Sequence, residues 1–105
     1  MTDVLAGETT LEAAIQSTEY PSLTFLSSGT RMQRAPELLM APKLREHISR
    51  LREAYDVILV DSPPLTAGID PLVLGTATGN MLVVLRQGAT DLPLAVTKLE
   101  VADSL

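Results

Sequence analysis

The segment Val57-Ile58-Leu59-Val60-Asp61-Ser62-Pro63-Pro64 decides how the rest of the chain is interpreted. Its four consecutive apolar residues, three of them β-branched, predict a strand that is buried on both faces. The two prolines cannot donate to a β-ladder, so the strand must end near Asp61. The pattern therefore predicts a carboxylate at the carboxyl end of a buried strand.

Helical and extended patterns alternate along the chain on both sides of this segment. Apolar strands that alternate with amphipathic helices favour a parallel sheet with right-handed crossovers. Asp70 followed by Pro71 predicts a helix start, because a capping carboxylate and a first-turn proline both favour one. The predicted strands are 23–26, 56–61 and 81–86. The predicted helices are 3–6, one over 11–16 capped by Thr9 or Thr10, 36–40, 42–55, one that starts at Asp70 and one capped by Thr90 or Asp91.

Composition excludes several classes of function. The net charge of −5 argues against a nucleic-acid surface, and the absence of cysteine excludes disulfides, thiolate metal sites and cysteine nucleophiles. Aromatic residues make up only 3 % of the chain, which disfavours an aromatic-rich β-sandwich. The longest apolar run, 81–85, is far too short to span a membrane. The sequence therefore predicts a cytoplasmic globular chain.

Asp61 is the candidate binding residue because ligands of open parallel sheets lie beyond the carboxyl ends of the strands. A carboxylate there costs desolvation energy unless a cation or a donor meets it, and a magnesium–phosphate cluster is one such partner. An Asp before Ser-Pro can also initiate a turn or cap a helix. On the pattern alone, both interpretations remain open.

The block that contains Asp61 resembles the Walker B segment of the bacterial tyrosine kinases. These are P-loop autokinases of capsule and exopolysaccharide export, similar in architecture to the MinD and ParA ATPases. The most specific part is LREAYDVILVDSPPL, residues 51–65. The resemblance continues through DVLAGETTLEAAI at 3–15, LTFLSSGTRMQRAPELL at 23–39 and IDPLVLGTATGNMLVVLRQGATD at 69–91.

The resemblance implies a fold and a set of site residues. The fold is a partial P-loop NTPase domain of the MinD/ParA-like type, a three-layer α/β/α arrangement with a mostly parallel sheet. Asp61 takes the catalytic role of holding Mg²⁺, through a water molecule, beside the β- and γ-phosphates of ATP, and Ser62 helps to shape the surroundings of the metal. Arg86 would lie near the nucleotide, although a solvent-facing arginine at a strand end is the alternative.

The chain departs from the family pattern in three motifs. It contains no GxxxxGK[ST] Walker A loop, no second Asp-bearing nucleotide motif and no tyrosine cluster, since Tyr20 and Tyr55 are isolated. We therefore expect residues 1–105 to be the carboxyl-terminal portion of a single P-loop tyrosine-kinase domain that lacks the Walker A part. Most phosphate-binding energy comes from that loop, so the piece alone should have negligible ATP affinity and kinase activity.

The resemblance also implies a cellular role. The parent protein would be an ATP-dependent protein-tyrosine autokinase that regulates capsular or exopolysaccharide synthesis and export. It would act at the inner face of the plasma membrane through a chain-length-determinant adaptor, fused or separate, and would form homo-oligomers without binding nucleic acid. Two alternatives stay open: a MinD/ParA-type partitioning ATPase fragment, and a non-catalytic docking module.

Overall fold

A computed structural model describes residues 1–104 of the chain in two compact units, one from Met1 to Ala54 and one that begins at Tyr55. The first unit holds four helices and two short strands, and the second holds two helices within the described residues. In chain order the elements of the first unit are α1 (Thr2–Ala6), α2 (Leu11–Ala14), β1 (Gln16–Ser17), β2 (Thr24–Phe25), α3 (Ala35–Met40) and α4 (Pro42–Ala54). Those of the second are α5 (Asp70–Thr78) and α6 (Leu92–Asp103).

Helix α4 contributes two buried apolar side chains to the core of the first unit. Leu44 and Ile48, one turn apart, are only 2 % and 3 % exposed. The other buried apolar residues of this unit come from α1 and α2, namely Val4, Leu5 and Leu11. Helix α3 contacts both α1 and α4. The predicted amphipathic helix over 42–55 is therefore confirmed.

Two of the predicted helix caps are confirmed in detail. The Thr10 hydroxyl accepts a hydrogen bond from the Ala13 amide at 3.2 Å, and Asp91 Oδ1 accepts one from the Leu94 amide at 3.0 Å. Both contacts satisfy amides that a first helical turn leaves unpaired.

The prediction that Asp70 caps α5 is wrong in position. Ile69 occupies the cap and Asp70 is the first helical residue. The helix begins there because Pro71 has its φ already near the helical value and has no amide to satisfy. Asp70 still lies in the first turn, where a carboxylate interacts favourably with the helix dipole.

The one ladder among the described residues is antiparallel. Strand β1 pairs with β2, with Gln16 opposite Phe25 and Ser17 opposite Thr24. The predicted strand 23–26 is thus shortened to two residues, and its partner Gln16 lies in a segment that the sequence assigned to a helix. That segment leaves the helix at Ile15, whose backbone is extended.

The predicted strands at 56–61 and 81–86 lie outside any helix or ladder of the described residues. Leu59 and Leu82 are each 90 % exposed. A β-strand requires hydrogen bonds to a partner strand, and residues 1–104 supply no partner strand for these two segments. The expected parallel sheet is therefore unconfirmed.

No helix within residues 1–104 has both the length and the apolar character that a membrane span requires.

Candidate functional site

Asp61 stands at the end of the apolar segment, and its side chain is exposed. Its Oδ1 accepts a hydrogen bond from the backbone amide of Ser62 at 3.0 Å. Since this contact restrains one oxygen only, and the described residues give the carboxylate no other hydrogen bond, Oδ2 stays available to a ligand. The two prolines that follow keep the backbone from continuing into a ladder.

Ser62 is turned toward the prolines. Its hydroxyl donates to the Pro63 carbonyl at 3.1 Å. The oxygen keeps its lone pairs for a further contact, because a hydroxyl is both donor and acceptor. Asp61 and Ser62 therefore present two hard oxygen atoms on adjacent exposed residues.

These oxygen atoms suit Mg²⁺ when a phosphate supplies the rest of the coordination shell. Magnesium prefers octahedral oxygen ligands, and it commonly takes one or two carboxylates together with water and substrate phosphates. No group of three or more His, Cys, Asp or Glu side chains that could hold a metal lies among residues 1–104. The Asp61 carboxylate and the Ser62 hydroxyl would therefore fit part of the shell of a magnesium ion whose other ligands are phosphate and water.

Arg86 lies at the start of a tight turn. Its backbone amide donates to the Thr90 hydroxyl at 2.8 Å, and its carbonyl accepts from the Thr90 amide at 2.9 Å. Gly88 has a φ of 73°, which favours glycine at that point of the turn. Thr90 therefore closes the turn that carries the exposed Arg86 side chain.

The structure does not bring Asp61 and Arg86 into an ion pair. Two ion pairs formed between described residues, Arg34–Glu37 and Arg50–Glu12, both lie in the first unit. The predicted role of Arg86 near the nucleotide therefore stays a prediction, as do those of Asp61 and Ser62.

Sequence reasoning missed a set of contacts that holds the loop after β2. The single proton of the Thr2 hydroxyl is shared between the carbonyls of Ser28 and Thr30, which lie 3.0 and 2.7 Å from Oγ1. Asp3 Oδ2 accepts a hydrogen bond from the Thr30 amide at 2.9 Å. The backbone amide of Thr30, followed by its hydroxyl, lowers the pKa of Asp3. The loop leads directly to Arg31. The one signal in the sequence was Gly29, because a glycine allows other atoms to approach the backbone closely.

Comparisons with known proteins agree on one kind of relative. Tyrosine-protein kinase ptk of Acinetobacter johnsonii is 30 % identical over 97 % of this chain and 14 % of its own length. Putative tyrosine-protein kinase EpsB of Ralstonia solanacearum is 34 % identical over 80 % of this chain and 11 % of its own length. Among solved structures, the BceF tyrosine kinase domain superposes with a TM-score of 0.83 and 36 % identity, over 96 % of this chain and 43 % of that one. No protein-family model matches the chain.

The aligned region covers nearly all of this chain but only part of each related protein. Nearly all of its residues align with the solved kinase domain, but they span less than half of that domain. They span at most 14 % of the two kinases compared by sequence. The likeness therefore extends along almost the whole of this chain and covers a minor part of each relative.

Proposed function

From the homology of this chain to the bacterial tyrosine-protein kinases, we propose that it forms part of the catalytic domain of an ATP-dependent protein-tyrosine kinase. The reaction transfers the γ-phosphoryl group of ATP to a tyrosine hydroxyl. The superposition on a solved tyrosine kinase domain is the observation that carries the proposal. Kinases of this kind act in polysaccharide and capsule synthesis, which we propose as the pathway served. The MinD/ParA-type partitioning ATPase, the alternative function, receives no support from the three comparisons above, since each is with a tyrosine kinase.

The chain corresponds to the portion of a P-loop domain that carries the Walker B segment and lacks the Walker A loop. In the complete domain, residues 56–61 and 81–86 are strands of a mostly parallel sheet between two helical layers. The exposure of Leu59 and Leu82 supports this, since each apolar side chain that a neighbouring strand buries contributes about 1.5–3 kcal/mol. Residues outside these 105 supply the neighbouring strands.

Within that domain, Asp61 holds Mg²⁺, directly or through water, beside the β- and γ-phosphates of ATP. Its exposed Oδ2 supports this role, and the Ser62 hydroxyl adds a second oxygen to the surroundings of the metal. Arg86 lies near the nucleotide, with its turn closed by Thr90. Phosphoryl transfer depends mainly on positioning and charge neutralisation, so Asp61 contributes one part of a site that also needs the phosphate-binding loop.

The kinase works at the inner face of the plasma membrane with a chain-length-determinant adaptor, fused or separate, and forms homo-oligomers. The family resemblance supports these partners. The net charge of −5 supports the exclusion of nucleic acid.

The test is Mg-ATP binding by isothermal calorimetry, on the 105-residue chain and on the complete kinase domain. We expect negligible binding by the chain alone and clear binding by the complete domain. Asp61→Ala in the complete domain should weaken Mg-ATP binding about tenfold or more, which corresponds to about 1.4 kcal/mol. Asp56→Ala, which removes an exposed carboxylate at the other end of the same segment, should leave the affinity unchanged.

Two results would contradict this scheme. Tight Mg-ATP binding by the 105-residue chain would show that the Walker A loop is not needed. Equal affinities for the Asp61→Ala and Asp56→Ala domains would remove Asp61 from the metal site.

A further inference from the structure

We propose that Tyr20 is a phosphorylation site for a bacterial tyrosine kinase domain that acts in trans, an inference that rests on the proposed function because it names a substrate of that class of kinase. Tyr20 lies in the connection between β1 and β2 and is 60 % exposed. The other tyrosine, Tyr55, directly follows α4 and is only partly exposed. Tyr20 is therefore the more solvent-accessible of the two tyrosines.

The backbone around Tyr20 is held in place without help from its phenol. The Tyr20 carbonyl accepts from the Leu23 amide at 3.0 Å, which closes a four-residue turn with Pro21 at its second position. The Thr18 hydroxyl accepts from the Tyr20 amide at 3.2 Å and donates to the Leu23 carbonyl at 2.8 Å. Since these contacts use only the backbone of Tyr20, a group added to the phenol would leave the turn intact.

Proline restricts the residue before it to an extended backbone, so Pro21 keeps Tyr20 away from helical conformations. The antiparallel strands on either side anchor the connection at Ser17 and Thr24. A segment whose backbone is already ordered loses less conformational freedom when another protein binds it. The exposed Tyr20 side chain leaves its hydroxyl accessible to a phosphoryl donor, which must come within about 3–3.5 Å of the oxygen for transfer.

The chemical step uses ATP as the co-substrate. The Tyr20 oxygen attacks the γ-phosphorus, the bond from that phosphorus to the β–γ bridging oxygen breaks, and ADP leaves. The phenolic proton passes to a base of the acting kinase or to water. The product is a phosphate monoester that carries about −1.5 to −2 charge beside Glu19. Both groups face solvent, which screens their repulsion.

The experiment incubates the 105-residue chain with a purified bacterial tyrosine kinase domain and Mg-ATP, and mass spectrometry maps the phosphate. A tyrosine-containing peptide that the same kinase modifies is the positive control. We expect phosphate on Tyr20, its loss in Tyr20→Phe and its retention in Tyr55→Phe. Circular dichroism should show that both variants keep the helical content of the unmodified chain.

Phosphate on Tyr55 in place of Tyr20 would overturn the proposal, and so would an unmodified chain beside a modified control peptide. Mapping on the unsubstituted chain decides the matter even if a variant fails to fold. The added kinase supplies its own nucleotide site. Failure of this experiment is therefore distinguishable from failure of the Mg-ATP binding test above.

Discussion

Gly29 occupies a position where a side chain has no room. Its φ is 87°, and a Cβ atom built there would lie 2.5 Å from Asp3 Oδ2 and 2.6 Å from Thr2 Oγ1. Those two side chains hold the loop through hydrogen bonds to Ser28 and Thr30. The glycine therefore serves two needs at once, a left-handed backbone and a close approach of α1.

Gly29→Ala should destabilise the chain more than Gly7→Ala does. Gly7 is a matched control, since its φ is 80° but nothing lies within 4 Å of its Cβ position. The control should cost about 1–2 kcal/mol for the left-handed backbone alone. Gly29→Ala should cost that amount plus the loss of the Asp3 and Thr2 contacts. Equal urea denaturation midpoints for the two variants would contradict the crowding argument.

The Asp3 carboxylate should make stability depend on acid pH. Its pKa lies below the ordinary value of 3.8, first because the Thr30 amide donates to it. The carboxylate contributes stability that is complete above pH 3.8 and is lost as the pH falls through the lower pKa of the folded state. Asp3→Asn should thus reduce the fall in Tm between neutral pH and strongly acid pH, as measured by circular dichroism. Asp56→Asn, in the other compact unit, is the control and should leave that fall unchanged.

At the scale of elements, α4 determines whether the first unit is stable. Ile48→Ala removes a buried side chain that packs in the core of this unit, and should cost about 2–5 kcal/mol. Glu53→Ala, on the exposed face of the same helix, should change stability by less than about 0.5 kcal/mol. Urea denaturation followed by circular dichroism measures both. Similar midpoints for the two variants would show that α4 does not anchor the unit.

At the scale of the whole molecule, the apolar segments 57–60 and 81–85 do not pair with any strand of the described residues. Leu59→Lys should change the stability of the 105-residue chain by less than about 0.5 kcal/mol, because Leu59 is 90 % exposed. In the complete kinase domain the same change would bury a charge in the proposed sheet. It should then cost about 3 kcal/mol or more.

Denaturation of the chain and of the complete domain, each with and without the substitution, checks this expectation. Glu53→Lys is the control and should be tolerated in both. A complete domain that accepts Leu59→Lys without loss of stability would exclude 57–60 from the interior of a sheet.

The sequence by itself determined the elements whose stability is local. The amphipathic pattern of α4 and the caps at Thr10 and Asp91 each act within a few residues, so they could be recognised directly. The apolar run that ends at Asp61 could be recognised for the same reason, whereas the proposed role of Asp61 in metal binding stays a prediction. In the structure its carboxylate accepts a hydrogen bond from the Ser62 amide.

Only the tertiary structure decided which distant residues meet. It paired Gln16 with Phe25, where the helical pattern of 11–16 had indicated otherwise, and it joined Asp3 to Thr30. It also left 57–60 without a ladder, although the apolar run predicted a buried strand. The physical reason is that a ladder or a long-range hydrogen bond depends on a partner far along the chain, whereas a capped or amphipathic helix carries its own hydrogen bonds.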